Sequence, residues 1–178
     1  LAVHMDGARL LNAVVASKVP AADYAAVADS VWIDLSKGLG CPVGAVMAGS
    51  TAFIEDAWIW KQRLGGSMRQ SGVLAAAGLY ALDNNVERLA DDHANARRFA
   101  ELATEIPGIA VDAASVETNI VFLDVSAVGI SAPEISERLA ARSVRIGAMG
   151  PDSIRAVTHL DVDRAGVEKA AEALRAVL

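Results

Sequence analysis

Cysteine, aromatic residues, long apolar runs and clustered positive charge are all scarce in this sequence, and each scarcity excludes something. The single cysteine, Cys41, rules out an internal disulfide and is compatible with a reducing, cytoplasmic compartment. No apolar run reaches the ~18 residues that a membrane span requires, and there is no positively charged opening of the kind a signal peptide carries. The net charge of −6, without a basic cluster, argues against nucleic acid or an anionic membrane surface as a partner. Aromatic residues make up 4% of the chain and hydrophobic residues 53%, so a sizeable core is available and is built from Ala, Val, Leu and Ile. At 178 residues the chain suits one domain of ordinary size, or part of a larger domain followed by a small one.

What is present is organised around strand ends. Leu1-Ala2-Val3 reads as a short buried strand, and an apolar strand at residue 1 leads us to expect that something precedes it in the parent protein. His4, Asp6, Gly7 and Arg9 crowd its end, and residues 8–16 continue as a helix with apolar positions at helical spacing. Asp6 there either caps the helix or serves a site. After a short helical segment around Tyr24 to Ala28, Val31, Ile33 and Leu35 alternate with other residues as in a strand that delivers Ser36 and Lys37 at its carboxyl end. Two strands joined by a helical crossover make a parallel βαβ unit, which brings Asp6 and Lys37 to the same sheet edge. Chemistry in open α/β sheets sits at that edge. Lys37 is therefore either a reactive amine or a solvated loop lysine.

The run Gly38-Leu39-Gly40-Cys41-Pro42-Val43-Gly44 is not a dinucleotide fingerprint, because no helix follows it; it suits close backbone approach around a bulky group. A strand over 45–49 and a helix over 51–60, capped by Ser50 or Thr51, come next. Residues 61–72 form a basic, glycine-rich loop that is either a surface connector or an anion site using Arg69. Helices over 73–82 and 84–104 follow. Glu87, Arg88, Asp91, Asp92, Arg97 and Arg98 read as a solvated face of the second, with His93 exposed among them.

Pro107-Gly108 marks a change of style and the expected domain boundary, with a small α+β subdomain over 107–178. Its expected elements are a buried strand at 119–125, a helix over 133–141 capped near Ser131, short strands at 144–148 and 154–160, and a terminal helix begun by Asp161 or Asp163. Arg155 lies inside an otherwise apolar strand. An unpaired buried arginine costs several kcal/mol, so it serves either a structural ion pair or a ligand carboxylate.

Four stretches together carry a resemblance: residues 4–13 (HMDGARLLNA), 35–44 (LSKGLGCPVG), 65–72 (GGSMRQSG) and 155–162 (RAVTHLDV). In that order and spacing the sequence closely resembles the low-specificity L-threonine aldolases, pyridoxal-phosphate enzymes of the aspartate-aminotransferase fold type. The resemblance implies an α/β fold: residues 1–106 as the C-terminal part of a fold-type-I large domain, and residues 107–178 as the small C-terminal α+β domain. It implies pyridoxal 5'-phosphate as cofactor, with Lys37 as the lysine that carries it and Asp6 as the carboxylate that pairs with the ring nitrogen. Arg9 would lie near the phenolic oxygen and the substrate carboxylate, Arg155 would grip that carboxylate, and Arg69 would reach the phosphate from a loop. The implied reaction is cleavage of L-threonine, L-allo-threonine and related β-hydroxy-α-amino acids to glycine and an aldehyde, in a homodimer or homotetramer without a catalytic metal. A PLP-dependent β-eliminating lyase and a non-catalytic fragment or structural subunit are the alternatives. Lys61-Gln62 departs from the family pattern, and the family's phosphate cup and ring-stacking histidine belong to an N-terminal half outside this sequence.

Overall fold

Alternating side chains in the first strands assemble a three-stranded sheet, order β1-β2-β3, from β1 (His4–Gly7), β2 (Ser30–Asp34) and β3 (Ala45–Gly49). The computed structural model describes residues 1–178, and these divide into two units, Leu1–Leu89 and Ala90–Leu178. In the first unit α1 (Leu10–Ser17) and α2 (Ala21–Ala25) carry the chain from β1 back to β2. That crossover makes the pair parallel, with Asp6 opposite Trp32, while the shorter return to β3 makes the second pair antiparallel, with Trp32 opposite Met47. Helix α1 stops at Lys18, which adopts the left-handed conformation with φ 64°.

Successive strand residues point to opposite faces. Ile33 and Leu35 gather with Leu11, Leu39, Cys41, Ala77, Ala81 and Val86 into the small core of this unit. The other face carries Trp32 and its strand partners Asp6 and Met47. There His4, Trp32 and Met47 meet Phe53, Trp58 and Trp60 of α3 (Thr51–Arg63) along an apolar groove of about 740 Å³. Ser50 caps α3 as expected, its hydroxyl accepting from the Phe53 N–H at 3.2 Å. The unit is completed by α4 (Gly72–Asn84), which buries Gly78 and Ala81.

Leu1–Val3 differ from expectation. They are exposed and precede the strand, which begins at His4. Val3 is tied only through its backbone, accepting from Asp29 N–H at 2.9 Å and donating to Asp29 Oδ2 at 2.7 Å, with nothing to cover the apolar side chains. The expected helix over 84–104 is also shorter. Helix α5 starts at Leu89, because Asn85 and Arg88 turn aside to donate to the carbonyls of Leu39 (2.7 Å) and Gly38 (3.4 Å).

The second unit is a three-stranded antiparallel sheet, order β4-β6-β5, from β4 (Ile120–Asp124), β5 (Gly147–Ala148) and β6 (Ser153–Val157). Val121, Leu123, Ile154 and Ala156 face inward, against α6 (Ala132–Ala140), α7 (Arg164–Val177) and the Ala96, Phe99, Ala100 and Ala103 side chains of α5 (Leu89–Thr104). Because α5 contributes those four side chains to this core, the unit begins at Ala90, upstream of the Pro107-Gly108 turn. Ser131 and Asp163 cap α6 and α7 as the sequence led us to expect.

The face of α5 read as solvated is not wholly so. Asp92 and His93 are buried: the Asp92 carbonyl accepts from Thr158 Oγ1 at 2.6 Å, and Asn95 donates to the Val162 carbonyl at 3.1 Å. These links hold the start of α5 against the chain that follows β6.

Candidate site at the carboxyl ends of the first two strands

The end of β2 is shaped by one aspartate. Asp34, the last strand residue, accepts at Oδ1 from the Ser36 N–H (3.0 Å) and hydroxyl (2.7 Å), so the chain turns sharply after Leu35 has entered the core. Its Oδ2 stands 3.1 Å from Lys37 Nζ, and that nitrogen lies 5.4 Å from the centroid of the Trp32 ring. Burial works to raise the Asp34 pKa. The hydrogen bonds from Ser36 and the Lys37 ammonium outweigh it, holding the carboxyl below the usual aspartate range. The same carboxylate, after burial itself, pushes the Cys41 thiol up, which leaves that cysteine a poor nucleophile.

Backbone hydrogen bonds lock the loop after Lys37: Gly40 N–H to the Lys37 carbonyl at 2.9 Å, Cys41 N–H to Leu35 at 2.9 Å, and Leu35 N–H to Gly44 at 3.0 Å. Of the glycines in this loop, Gly38 makes a close approach, and it is to one of the protein's own side chains. A Cβ on Gly38 would stand 2.6 Å from Leu89 Cδ2. At the end of β1, a Cβ on Gly7 would stand 2.2 Å from the Trp32 carbonyl oxygen, so only glycine fits between the strands.

Asp6 lies on the Trp32 side of the sheet, as its register partner across the parallel pair. It is exposed and accepts from the Ala8 N–H at 3.0 Å; it does not cap α1, whose N-cap position belongs to half-buried Arg9. Arg9, Gly7, Asn12, Asp34 and Gly38 line a cleft of about 10 Å³ between the strand ends. That is room for roughly one water; Asp6 and Trp32 stand together on the other face of the sheet from Ile33 and Leu35. Arg69 sits apart in the exposed loop between α3 and α4.

Arg155, in the second unit, corrects the expectation of burial. On β6 it points to the uncovered face, exposed, with Phe122 opposite it on β4 and Gly147 on β5. The alternation that buries Ile154 and Ala156 turns it outward, and no ion pair engages it. The structure thus collects Asp6, Arg9 and Lys37 at one sheet edge, with Arg69 in a loop of the same unit and Arg155 on the other unit. Sequence reasoning missed Trp32 and Asp34. Their signal was an aromatic and a carboxylate two residues apart on one strand face, the carboxylate three residues before the lysine.

No cluster of three or more His, Cys, Asp and Glu side chains is placed to hold a metal ion, and no helix is long and apolar enough to cross a membrane. Residues 1–126 match the family model described as beta-eliminating lyase. The low specificity L-threonine aldolase of Escherichia coli (strain K12) is 44% identical over 178 residues, all of this chain and 51% of that protein. Low-specificity L-threonine aldolase 1 of Arabidopsis thaliana is 42% identical over 166 residues, 93% of this chain and 46% of the relative. The solved threonine aldolase of Leishmania major superposes with a TM-score of 0.73 at 20% identity, covering 100% of this chain and 52% of that one. The chain therefore spans about half the length of the curated relatives it matches.

Proposed function

The chain belongs to the beta-eliminating lyase family, and from that premise we propose that it supplies the cofactor-bearing half of a pyridoxal-phosphate-dependent aldolase. Its substrates are L-threonine, L-allo-threonine and related β-hydroxy-α-amino acids, cleaved to glycine and an aldehyde. The observation that carries the reading is Lys37 on a locked turn at the carboxyl end of β2, with Asp6 on the parallel neighbour strand.

The donor set fits the cofactor: an amine to hold its aldehyde carbon, an ionisable carboxylate for its ring nitrogen and guanidinium groups for anionic oxygens. Pyridoxal phosphate, when bound, supplies an electron sink that takes up charge as a bond to the substrate Cα breaks. Asp6, as a carboxylate, holds a proton on the ring nitrogen. Arg155 binds the substrate carboxylate, which its exposed and unengaged fork suits. Arg9 orients the same class of anionic oxygen from the end of β1, and Arg69 is assigned to the phosphate. Holding the carboxylate would fix the orientation of the substrate's Cα–Cβ bond, the bond that carbon–carbon cleavage breaks.

A homodimer or homotetramer belongs to this reading. The support is the apolar surface of α3, where Trp58, Ile59 and Trp60 are about half exposed. The test uses the full-length protein. With pyridoxal phosphate it should gain a visible absorbance band that borohydride fixes on the Lys37 peptide, lost in Lys37→Ala. Glycine plus acetaldehyde from L-threonine supports the aldolase, ammonia plus a 2-oxo acid assigns β-elimination instead, and no band at all rejects both.

A further inference from the structure

Three observations at the end of β2 concern what holds Lys37 when its amine carries no covalent ligand. First, the carboxylate it meets is anchored. The Asp34 side chain is 9% exposed against 39% for Lys37, and its other oxygen is engaged by both the N–H and the hydroxyl of Ser36. An ordinary surface pair joins two mobile chains and contributes little; here one partner is immobile. Second, the Trp32 ring lies on the same face as Asp34, and the lysine nitrogen stands 5.4 Å from its centroid, within the range where an ammonium is attracted to an indole. Third, the Lys37 backbone cannot follow its side chain, because Gly40 N–H binds its carbonyl and Asn85 and Arg88 hold the next two.

We propose that Asp34 and Trp32 are positioning residues that give the Lys37 ammonium, when it carries no covalent ligand, a fixed resting place, from which the amine engages a ligand aldehyde and to which it returns. The functional meaning rests on Lys37 being the cofactor lysine; the geometry does not. An ammonium at a carboxylate has no lone pair with which to add to a carbonyl, so the resting place also restrains the amine until it gives a proton to solvent and leaves the pair; condensation of the free amine with the aldehyde then forms the C=N bond and releases the carbonyl oxygen as water. Only the flexible lysine stem moves in that exchange, and Asp6, on the strand beside Trp32, is left in place for the ligand.

The experiment reads the amine directly. Full-length protein freed of cofactor is treated with trinitrobenzenesulfonate, and labelling of Lys37 is followed by peptide mass relative to exposed Lys18. Asp34→Asn should speed Lys37 labelling about two- to fivefold with Lys18 unchanged, and Asp34→Glu should restore much of the restraint. Trp32→Leu should speed it about two- to threefold and Trp32→Phe much less. If Asp34→Asn fails to fold, Ser36→Ala, which removes the hydroxyl bond to Asp34 Oδ1 and leaves that of the N–H, and Trp32→Leu carry the test. Unchanged Lys37 labelling across the folded variants overturns the proposal. Borohydride capture of pyridoxal phosphate on wild-type Lys37 is scored separately: its failure removes the cofactor reading while the labelling ratio still decides the resting place.

Discussion

In the second unit α6 and α7 bury Ile135, Leu139 and Leu174 completely, whereas α3 in the first unit buries none of its 13 residues although Phe53, Ile54, Trp58 and Ile59 run along it. The strands repeat the contrast. In β4 and β6 buried and exposed positions alternate, while every residue of β3 is exposed. An apolar residue stabilises a fold only when another surface removes it from water, so similar amino acids make a closed core after Ala90 and an open surface before Leu89. The larger buried core of this chain lies in the unit that carries Arg155, and Lys37 sits in the unit with the smaller one.

That asymmetry can be broken or sharpened by substitution, with denaturant unfolding and hydrogen exchange read for each unit. The largest effect is expected from Leu139→Ala, which should cost the second unit about 2–5 kcal/mol by opening a cavity among fully buried neighbours. Gly7→Ala comes next. It should destabilise the first unit by about 1–3 kcal/mol, because the obstructing atom is the Trp32 backbone oxygen rather than a side chain that can swing away. Asp163→Ala and Ser50→Ala remove equivalent caps from α7 and α3, each worth about 1 kcal/mol of helix stability; the loss should spread to global unfolding in α7 and stay local in α3. Ile59→Ala should change stability by less than about 0.5 kcal/mol, since the residue is half exposed, and a core-sized loss there would show that α3 is covered in solution.

The smallest effect is a matched acid titration. Asp34 ends β2 and Asp124 ends β4, and each accepts from the N–H two residues on, at 3.0 and 2.8 Å. Asp34 is held low against its burial by Ser36 and Lys37, and Asp124 by the backbone and side chain of Ser126. A lowered folded-state pKa gives stability that is present above the unfolded value and lost as pH falls through the folded one. Both carboxyls, followed by NMR, should therefore protonate below the usual aspartate range. Asp34→Asn should flatten the acid limb of first-unit unfolding, and Asp124→Asn that of the second.

Much of this was legible in the sequence because the governing interactions are local. Ser131, Asp163 and Ser50 are cap residues wherever they precede a helix, and the spacing of Ile33 and Leu35 names a buried strand face without reference to anything distant. Asp6 and Lys37 fell on one edge because a helical crossover forces two strands to run parallel. Leu1–Val3, His93 and Arg155 misled for the opposite reason: whether an apolar or polar side chain is covered depends on an element elsewhere in the chain. No neighbour covers Leu1, Thr158 and Val162 reach back to the start of α5, and the outward half of the β6 alternation has no layer on it.

By itself the sequence determined most of the elements, the cap candidates at 50–51, 131 and 161–163, and the parallel βαβ order that sets Asp6 and Lys37 at neighbouring strand ends, since periodicity and turn chemistry act over a few residues. Only the tertiary structure decided that Lys37 rests between Asp34 and Trp32 on a turn gripped by Asn85 and Arg88, and that α5 packs with the second core. Those outcomes join residues as far as 67 positions apart, and such contacts depend on how whole elements pack, which no local pattern encodes.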